Sequence, residues 1–378
     1  MAQTFKYGNG IWANKEGSSL AYNDENGNYK PLPFNFERSS SATRTNKEGL
    51  IEVVDREFPR IDYKDNAKGA LLLEPQSTNY LKYSEDFTKN AWSEGGQIRT
   101  YGFLSPEGAY NASLIQRGSQ SYMTTGGISL TDGATYTMSV YLKAKTPTDI
   151  SISLQERGNN YTIYFSEAFT LTEEWVRYEV TGVKGVDNTQ ARFVVGSIGT
   201  GEEFYIWGAQ LEQQSYATSY IPNYGASAGV TRIADIGGRT GDISSVVNDD
   251  DFEIEFKFSS ADDNLFKGIT FSDTTSTASG SNYVTFYLRD NKSISNLRFS
   301  VGGSNTSLNI GNMPDVTVSR IYKLIKKATY LSLEADGTEL GRINQSVTFT
   351  NALKYLKLKA NDNNDSQGLI VDYIKINN

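Results

Sequence analysis

The segment TYTMSVYLKA, residues 135–144, indicates the fold class because its apolar residues recur at every second position. Tyr136, Met138, Val140 and Leu142 fall on one face of an extended chain, and the residues between them fall on the other. The segments DISISL, YTIYF, EEWVRYEVTGV, ARFVVGSI and EFYIWGAQLE follow, separated by Gly, Asn, Thr and Asp. Short strands at this spacing, without helical segments, predict an antiparallel β-sandwich over residues 93–222.

A second set of strands begins at DFEIEFKF, residues 251–258, where Phe and Ile alternate with charged residues. Further on, Asp336-Gly337 separates two strand-like segments and is a strong signal for a tight hairpin turn. We therefore predict a second antiparallel sandwich over residues 243–378. Residues 223–242 are rich in Gly, Ala and Ser and are interpreted as a linker.

The composition excludes several classes of function. The 378-residue chain has no cysteine and no histidine, which removes disulfides, thiolate nucleophiles, imidazole-bound zinc and histidine-based catalytic triads. A net charge of −8 disfavours a nucleic-acid partner. No apolar run approaches the ~20 residues that cross a bilayer, and the first residues lack the apolar core of a signal peptide. We expect no nucleic acid, no membrane insertion and no export by that route.

Residues 38–92 have the period of neither a helix nor a long strand. Segments of this length without periodicity are usually disordered or extended over a partner. Large apolar residues are too frequent here for a solvated linker; they are Leu71, Leu72, Leu73, Tyr80, Leu81, Tyr83, Phe87 and Trp92. We interpret residues 1–92 as an extended anchoring arm that buries itself against neighbouring chains. The alternative is an irregular cap on the next domain.

Two arginines in this arm are candidates for buried ion pairs. Arg38 and Arg60 could each pair bidentately with Glu74 or Asp62, since a planar guanidinium can lock two extended segments together.

The order of residues along the arm resembles a recurrent module of tailed-phage fibre proteins. In that module, R-x-S-x-A-T is followed by a glycine, a P-R-x-x-Y turn, G-x-L-x-E-P-x-x-T-N and Y-S-x-x-F. The positions that form the anchoring-arm motif here are Arg38, Ala42, Thr43, Pro59, Arg60, Tyr63, Glu74, Thr78 and Asn79.

This resemblance implies a structural, non-enzymatic component of a phage virion, assembled in the host cytoplasm. We favour a head fibre that decorates the capsid over a tail fibre, because the chain is short and has no long repetitive shaft. The resemblance further implies attachment to capsid or tail proteins, a homo-oligomer that is most often a trimer, and phages of gut Bacteroidetes. A secreted bacterial lectin is another hypothesis, which the missing signal peptide disfavours.

Both sandwiches also have family resemblances. The segment WGAQLEQQSYATSYIP, residues 207–222, is similar to the end of jelly rolls of the carbohydrate-binding-module type in phage fibres. Residues 322–341 and the final GLIVDYIKI resemble laminin-G or concanavalin-A-like lectins. These resemblances imply that surface glycans are partners.

Sugar binding uses an exposed aromatic ring beside amide and charged hydrogen-bonding groups. The candidates lie on the EFYIWGAQLE strand and around the turn between DISISL and YTIYF. They are Tyr205, Trp207, Gln155, Arg157, Tyr161 and Tyr164.

The alternative function is a tailspike that hydrolyses glycans through paired carboxylates, which must lie ~5–9 Å apart. Glu253 and Glu255 are the candidate pair, but the E-x-D-x-x-E pattern of concanavalin-type glucanases is missing. Solvated strand charges are the favoured interpretation, and we expect no enzymatic activity.

Calcium is the one candidate cofactor, because its oxygen ligands require neither histidine nor cysteine. Two acidic turns of the second sandwich could supply ligands, with ordinary polar loops as the alternative. The candidate ligands are Asp249, Asp250, Asp362 and Asp365.

Overall fold

The computed structural model describes residues 4–8, 12–15, 18–23, 29–31, 36–92, 96–119, 122–158, 160–196, 203–237, 247, 251–261, 267–274, 282–288, 295–311, 313–358 and 368–377. This part of the chain is all-β and contains no helix, which confirms the predicted fold class. Accordingly, no helix in it has the length and hydrophobicity needed to span a bilayer.

The described chain forms two compact units. The discontinuous unit comprises residues 1–49, 53–76 and 233–378, and the central unit comprises residues 50–52 and 77–232. These limits differ from the predicted domains 1–92, 93–222, 223–242 and 243–378. The predicted arm is divided between the two units, and the predicted linker is divided at residue 232.

The discontinuous unit begins with nine strands. They are β1 (Thr4–Gly8), β2 (Trp12–Lys15), β3 (Ser18–Asn23), β4 (Tyr29–Pro31), β5 (Phe36–Glu37), β6 (Ala42–Thr45), β7 (Ile51–Val54, which crosses the unit boundary), β8 (Arg60–Asp62) and β9 (Ala70–Leu73). The central unit contributes the next eleven strands. They are β10 (Ser77–Asn79), β11 (Ile98–Phe103), β12 (Ala112–Gln116), β13 (Met123–Thr124), β14 (Thr135–Lys143), β15 (Thr148–Arg157), β16 (Ile163–Leu171), β17 (Val176–Val183), β18 (Gln190–Gly196), β19 (Glu203–Glu212) and β20 (Val230–Arg232).

The discontinuous unit resumes with the remaining strands. They are β21 (Ile236–Gly237), β22 (Phe252–Ser260), β23 (Lys267–Ser272), β24 (Tyr283–Leu288), β25 (Ser295–Val301), β26 (Ser304–Ile310), β27 (Arg320–Lys327), β28 (Tyr330–Ala335), β29 (Thr338–Ile343), β30 (Tyr355–Lys357) and β31 (Leu369–Asn377).

The discontinuous unit is a sandwich of two antiparallel sheets. One sheet has the order β29-β28-β27-β22-β31-β9-β8, with β1 also paired to β31, and the other has the order β26-β25-β24-β23-β30. The alternating apolar residues of β22 are buried between them, as the period-two pattern predicts. Asp336 and Gly337 both have positive φ, at 47° and 80°, as the predicted hairpin between β28 and β29 requires.

Residues of the predicted arm complete this sandwich. Strand β9 pairs with β31, with Leu71 opposite Val371 and Leu73 opposite Leu369. Leu71 and Leu73 are fully buried in the core of the unit. Five of the eight apolar residues that suggested burial against neighbouring chains are therefore buried within their own chain, and the other three, Leu72, Tyr80 and Tyr83, are partly exposed.

A buried ion cluster lies beside β8 and β9, and it consists of Arg38, Arg60, Glu74 and Asp235. The Arg60 guanidinium donates to Glu74 Oε2 at 2.7 Å and also to the Asp235 carboxylate, while Arg38 Nη1 donates to Asp235 Oδ1 at 3.0 Å. The backbone N–H of Glu74 donates to Asp235 Oδ2 at 2.8 Å. All four side chains are at most 5% exposed. Two positive and two negative charges thus balance one another out of contact with water.

Of the two carboxylates predicted as candidate partners, Glu74 pairs with Arg60, but the carboxylate paired with Arg38 is that of Asp235 rather than Glu74 or Asp62. Asp62 instead accepts hydrogen bonds from the backbone N–H groups of Thr45, at 2.7 Å, and Lys64, at 2.9 Å. Burial alone would lower the pKa of Arg60. The carboxylates of Asp235 and Glu74 nevertheless raise it above its ordinary value. Arg60 is therefore charged at any pH at which the unit is folded.

The central unit is the predicted jelly-roll sandwich. Its two antiparallel sheets have the orders β11-β12-β19-β14-β17 and β13-β18-β15-β16. The core contains the four predicted inward residues of β14 and also Leu81, Phe87 and Trp92 from the predicted arm. Trp92 packs against Phe87 and Phe193, with ring centroids 4.5 and 5.9 Å apart.

A buried asparagine joins the start of the central unit to its last strands. Asn79 Nδ2 donates to the carbonyl oxygens of Ala209, at 3.2 Å, and Ile221, at 2.8 Å. Its Oδ1 accepts from the backbone N–H groups of Leu81, at 3.0 Å, and Leu211, at 3.2 Å. With four hydrogen bonds, the amide is fully satisfied in the core.

We expect Asp235→Asn to destabilise the discontinuous unit by about 3–5 kcal/mol, because it leaves a net positive charge buried. Urea unfolding followed by circular dichroism measures this loss. The control is Asp336→Asn, which neutralises an exposed partner of Arg320 in the same unit and should cost less than about 1 kcal/mol. Equal effects of the two substitutions would contradict the proposed role of the cluster.

The stability of the central unit should fall as the pH rises from about 4.5 to about 7, because of Glu85. Burial, followed by the nearby charge of Glu107, raises the pKa of Glu85 to about 7 from an ordinary value of 4.5. The folded unit therefore binds this proton more tightly than the unfolded chain, and that stabilisation is complete below pH 4.5 and lost by pH 7. This expectation is tested by comparing the melting temperature of Glu85→Gln with that of the parent protein across this pH range. A difference that does not change with pH would contradict the expectation.

Candidate functional site

A cleft of about 540 Å³ opens on the central unit where the β15–β16 hairpin meets the segments around Ala91 and Thr125. Ligand-binding pockets typically have volumes of about 300–1,000 Å³. The lining residues are Asn90, Ala91, Thr124, Thr125, Gly126, Arg157, Gly158, Tyr161 and Arg192. Backbone hydrogen bonds build the floor: Gly126 N–H donates to Ala91 O at 3.2 Å, and Thr125 N–H donates to Phe193 O at 3.0 Å.

Tyr161 lies at the rim of this cleft in a strained backbone conformation. Its φ is +52°, a region that residues other than glycine rarely adopt. The carboxylate of Glu156 stabilises the turn, because Oε2 accepts the backbone N–H groups of Asn160, at 3.1 Å, and Tyr161, at 2.8 Å. Tyr161 is nevertheless 54% exposed. Strain that presents an aromatic ring to solvent is typical of ligand-binding positions.

Arg192 of β18 positions the Tyr161 ring from the neighbouring strand. The Arg192 guanidinium carbon lies 4.4 Å from the centroid of the Tyr161 ring, and Nη2 donates to Gln155 Oε1 at 2.8 Å. Gln155 Nε2 in turn donates to Ser153 Oγ at 2.8 Å. One face of the aromatic ring is thereby held by a cation–π contact.

Two of the six predicted sugar-binding residues, Arg157 and Tyr161, line this cleft, and a third, Gln155, contacts it through its hydrogen bond with Arg192. Arg192 was not predicted, because it lies far from them in sequence and joins them only through the pairing of β15 with β18, which places it opposite Gln155. The other three candidates lie elsewhere.

Tyr164 does not line the cleft and instead belongs to a hydrogen-bonded group. Its hydroxyl donates to Asp187 Oδ2 at 2.5 Å, and Lys184 Nζ lies 5.1 Å from the centre of its ring. Partial burial, together with the hydrogen bond to Asp187, raises the pKa of Tyr164. Its polar end is therefore already occupied.

Tyr205 and Trp207 lie on β19 of the opposite sheet. Trp207 is 0% exposed, between Tyr141 and Tyr220, with ring centroids 5.5 and 4.5 Å away. The interpretation of Trp207 as an exposed platform is therefore wrong, because a buried indole cannot contact a sugar. Tyr205 is half-buried against Phe103, with ring centroids 5.2 Å apart.

The candidate catalytic pair, Glu253 and Glu255, lies on the outer face of β22 in the discontinuous unit. Glu253 Oε1 is 3.9 Å from Lys327 Nζ, and Glu255 Oε2 is 4.0 Å from Lys323 Nζ. Glu255 Oε1 also accepts a hydrogen bond from the Tyr373 hydroxyl at 2.7 Å. These contacts are those of a surface charge ladder, in agreement with the favoured interpretation.

The four candidate calcium ligands, Asp249, Asp250, Asp362 and Asp365, lie outside the described residues. Within the described part of the chain, no group of three or more acidic side chains is arranged to hold a metal ion.

The anchoring-arm motif lies mostly in the interior of the two units. Seven of its nine residues are buried: Arg38, Ala42, Thr43, Pro59, Arg60, Glu74 and Asn79. Tyr63 and Thr78 are partly exposed. The motif therefore encodes internal packing and the ion cluster, and its burial requires no second chain.

Comparison with known proteins agrees with the location of the cleft. Residues 80–198 match a family model described as a carbohydrate binding domain, and all residues that line the cleft fall within this range. The match supports glycan binding by the central unit and indicates a non-catalytic binding domain. No curated protein sequence matches the chain.

Similar solved structures include carbohydrate-binding and laminin domains. One described as "CBM4 structure and function" is 18% identical, over 42% of this chain and 96% of that chain, with a TM-score of 0.26. The tandem CBM22 domains of Paenibacillus barcinonensis Xyn10C are 11% identical, over 80% and 98%, with a TM-score of 0.30. Domains LG4-5 of the mouse laminin alpha1 chain are 10% identical, over 68% and 84%, with a TM-score of 0.26. At these TM-scores the similarities carry no argument about function.

Proposed function

We propose that this chain is a non-enzymatic, glycan-binding fibre protein of a tailed-phage virion. The observation that carries the glycan-binding part is the strained, exposed Tyr161 beside Arg157 and Arg192 in a cleft of suitable volume. A sugar ring can stack its C–H face on the exposed part of Tyr161, while the guanidinium groups donate hydrogen bonds to its oxygens.

The virion part of the proposal is supported by the resemblance of residues 38–92 to the phage-fibre module. In this proposal the chain is a head fibre, forms a trimer, attaches to capsid or tail proteins and binds glycans of the host or its surroundings. Because residues 36–76 supply strands and core residues to the discontinuous unit, their removal would unfold it. Tests of assembly therefore require the full chain.

Glycan binding is tested by probing a glycan array with the full chain and its Tyr161→Ala variant. Loss of the aromatic surface should weaken binding to any glycan found by about tenfold or more, since an aromatic contact contributes roughly 1.5–3 kcal/mol. Tyr110→Ala is the matched control, because Tyr110 is 75% exposed in the same unit and does not line the cleft. Absence of binding to every glycan, or equal weakening by both substitutions, would refute the proposed site.

Assembly is tested by light scattering of the full chain and by labelling of virions. A trimer has three times the chain mass of 41.8 kDa. Gold-labelled antibody against the chain should decorate the capsids of the phage that encodes it. A monomer would exclude the trimer, and labelling of the tail alone would exclude the head fibre.

A further inference from the structure

A second cleft, of about 400 Å³, adjoins the first on the same unit. The two share Ala91, Thr125 and Gly126, so they form one groove with Gly126 between its halves. A Cβ added to Gly126 would meet no atom within 4 Å. The groove is therefore open above this residue, and a chain of several sugars can pass from one half to the other.

The charged side chains described along the groove are all positive. They are Lys82 in the second half and Arg157 and Arg192 in the first, and no aspartate or glutamate is among the described residues of the lining. This contrasts with the net charge of −8 on the whole chain. The carboxylate adjacent to Arg157 in sequence, that of Glu156, is buried and faces the backbone N–H groups of Asn160 and Tyr161.

These three cations lack carboxylate partners in the part of the chain that the structure describes. Lys82 and Arg157 make no ion pair there, and Arg192 contacts only the amide of Gln155 and tyrosine rings. Gly127 gives the Arg157 guanidinium room at the groove, since a Cβ at this position would lie 2.8 Å from Nη1. Like charges gathered without counter-charges repel one another, and an anionic ligand relieves that cost.

We propose that this groove binds an anionic glycan, a chain whose sugars carry carboxylate or sulfate groups. The inference rests on the glycan-binding function proposed above and narrows its ligand class. Arg157 and Arg192 receive one anionic group beside the sugar stacked on Tyr161, because a planar guanidinium matches carboxylate and sulfate oxygens. Lys82 receives a second anionic group in the other half of the groove.

The test compares two acidic ligands with an uncharged ester of one of them. Isothermal titration of the full chain uses a galacturonic acid hexasaccharide, its fully methyl-esterified form, and a heparin-derived hexasaccharide. We expect at least one acidic hexasaccharide to bind about tenfold or more tightly than the methyl ester. Its affinity should fall as salt rises from about 0.01 to about 0.15 M, because the screening length shortens from about 30 to about 8 Å. Tighter binding of the heparin hexasaccharide than of the galacturonic acid hexasaccharide would indicate that sulfate groups, which only the heparin fragment carries, are favoured.

Three variants locate the site on the groove. Arg157→Gln and Lys82→Gln should each weaken acidic binding about tenfold, a much larger loss than either substitution causes for the methyl ester. Gly126→Phe should abolish hexasaccharide binding, because its ring occupies the junction of the two halves. Lys145→Gln is the charge-matched control, since Lys145 lies at an exposed ion pair with Glu203 outside the groove.

The outcomes separate this inference from the function on which it rests. If the methyl ester binds as tightly as both acidic ligands, the anionic preference is refuted and glycan binding stands. If Lys145→Gln weakens acidic binding as much as Lys82→Gln and Arg157→Gln do, the attraction is general and the groove assignment is refuted. If neither these ligands nor any arrayed glycan binds, both proposals are refuted.

Discussion

The buried ion cluster of Arg38, Arg60, Glu74 and Asp235 is the interaction on which the organisation of this chain depends. It joins the segment before the central unit to the segment after it, although 161 residues separate Glu74 from Asp235. A buried guanidinium without its carboxylate would cost several kcal/mol, so both segments must fold together within the discontinuous unit. The central unit is therefore an insertion in sequence, and its ends meet through the antiparallel pair of β10 and β20.

In the central unit, the buried carboxylate of Glu156 stabilises the turn that carries the exposed Tyr161. Glu156 satisfies two backbone N–H groups of the β15–β16 turn and so keeps Tyr161 at a positive φ that the turn would otherwise disfavour. Arg192 holds one face of the ring and leaves the rest open. Because these supports lie on paired strands of one sheet, the aromatic ring, Arg157 and Arg192 are positioned before any ligand arrives.

Much of the fold could be predicted from local sequence pattern, and the features that could not be predicted share one cause. The alternation in β14 and β22 identified both sandwiches, and Asp336-Gly337 identified a hairpin, because each depends on neighbouring residues. Residues 38–92 have no such period, since their short strands pair with distant parts of the chain, and they were therefore interpreted as an arm. Trp207 was placed on the surface because residue type alone does not distinguish a core indole from an exposed one.

By itself, the sequence determined the all-β class and the excluded chemistries, included Glu74 among the candidate partners of Arg60, and identified two residues that line the cleft, Arg157 and Tyr161. Those features depend on composition or on residues close in sequence. Only the tertiary structure decided the limits of the two units, the choice of Asp235 as the partner of Arg38, and the meeting of Arg192 with Tyr161. Each of these depends on the register between strands distant in sequence, which is set by burial of the whole core.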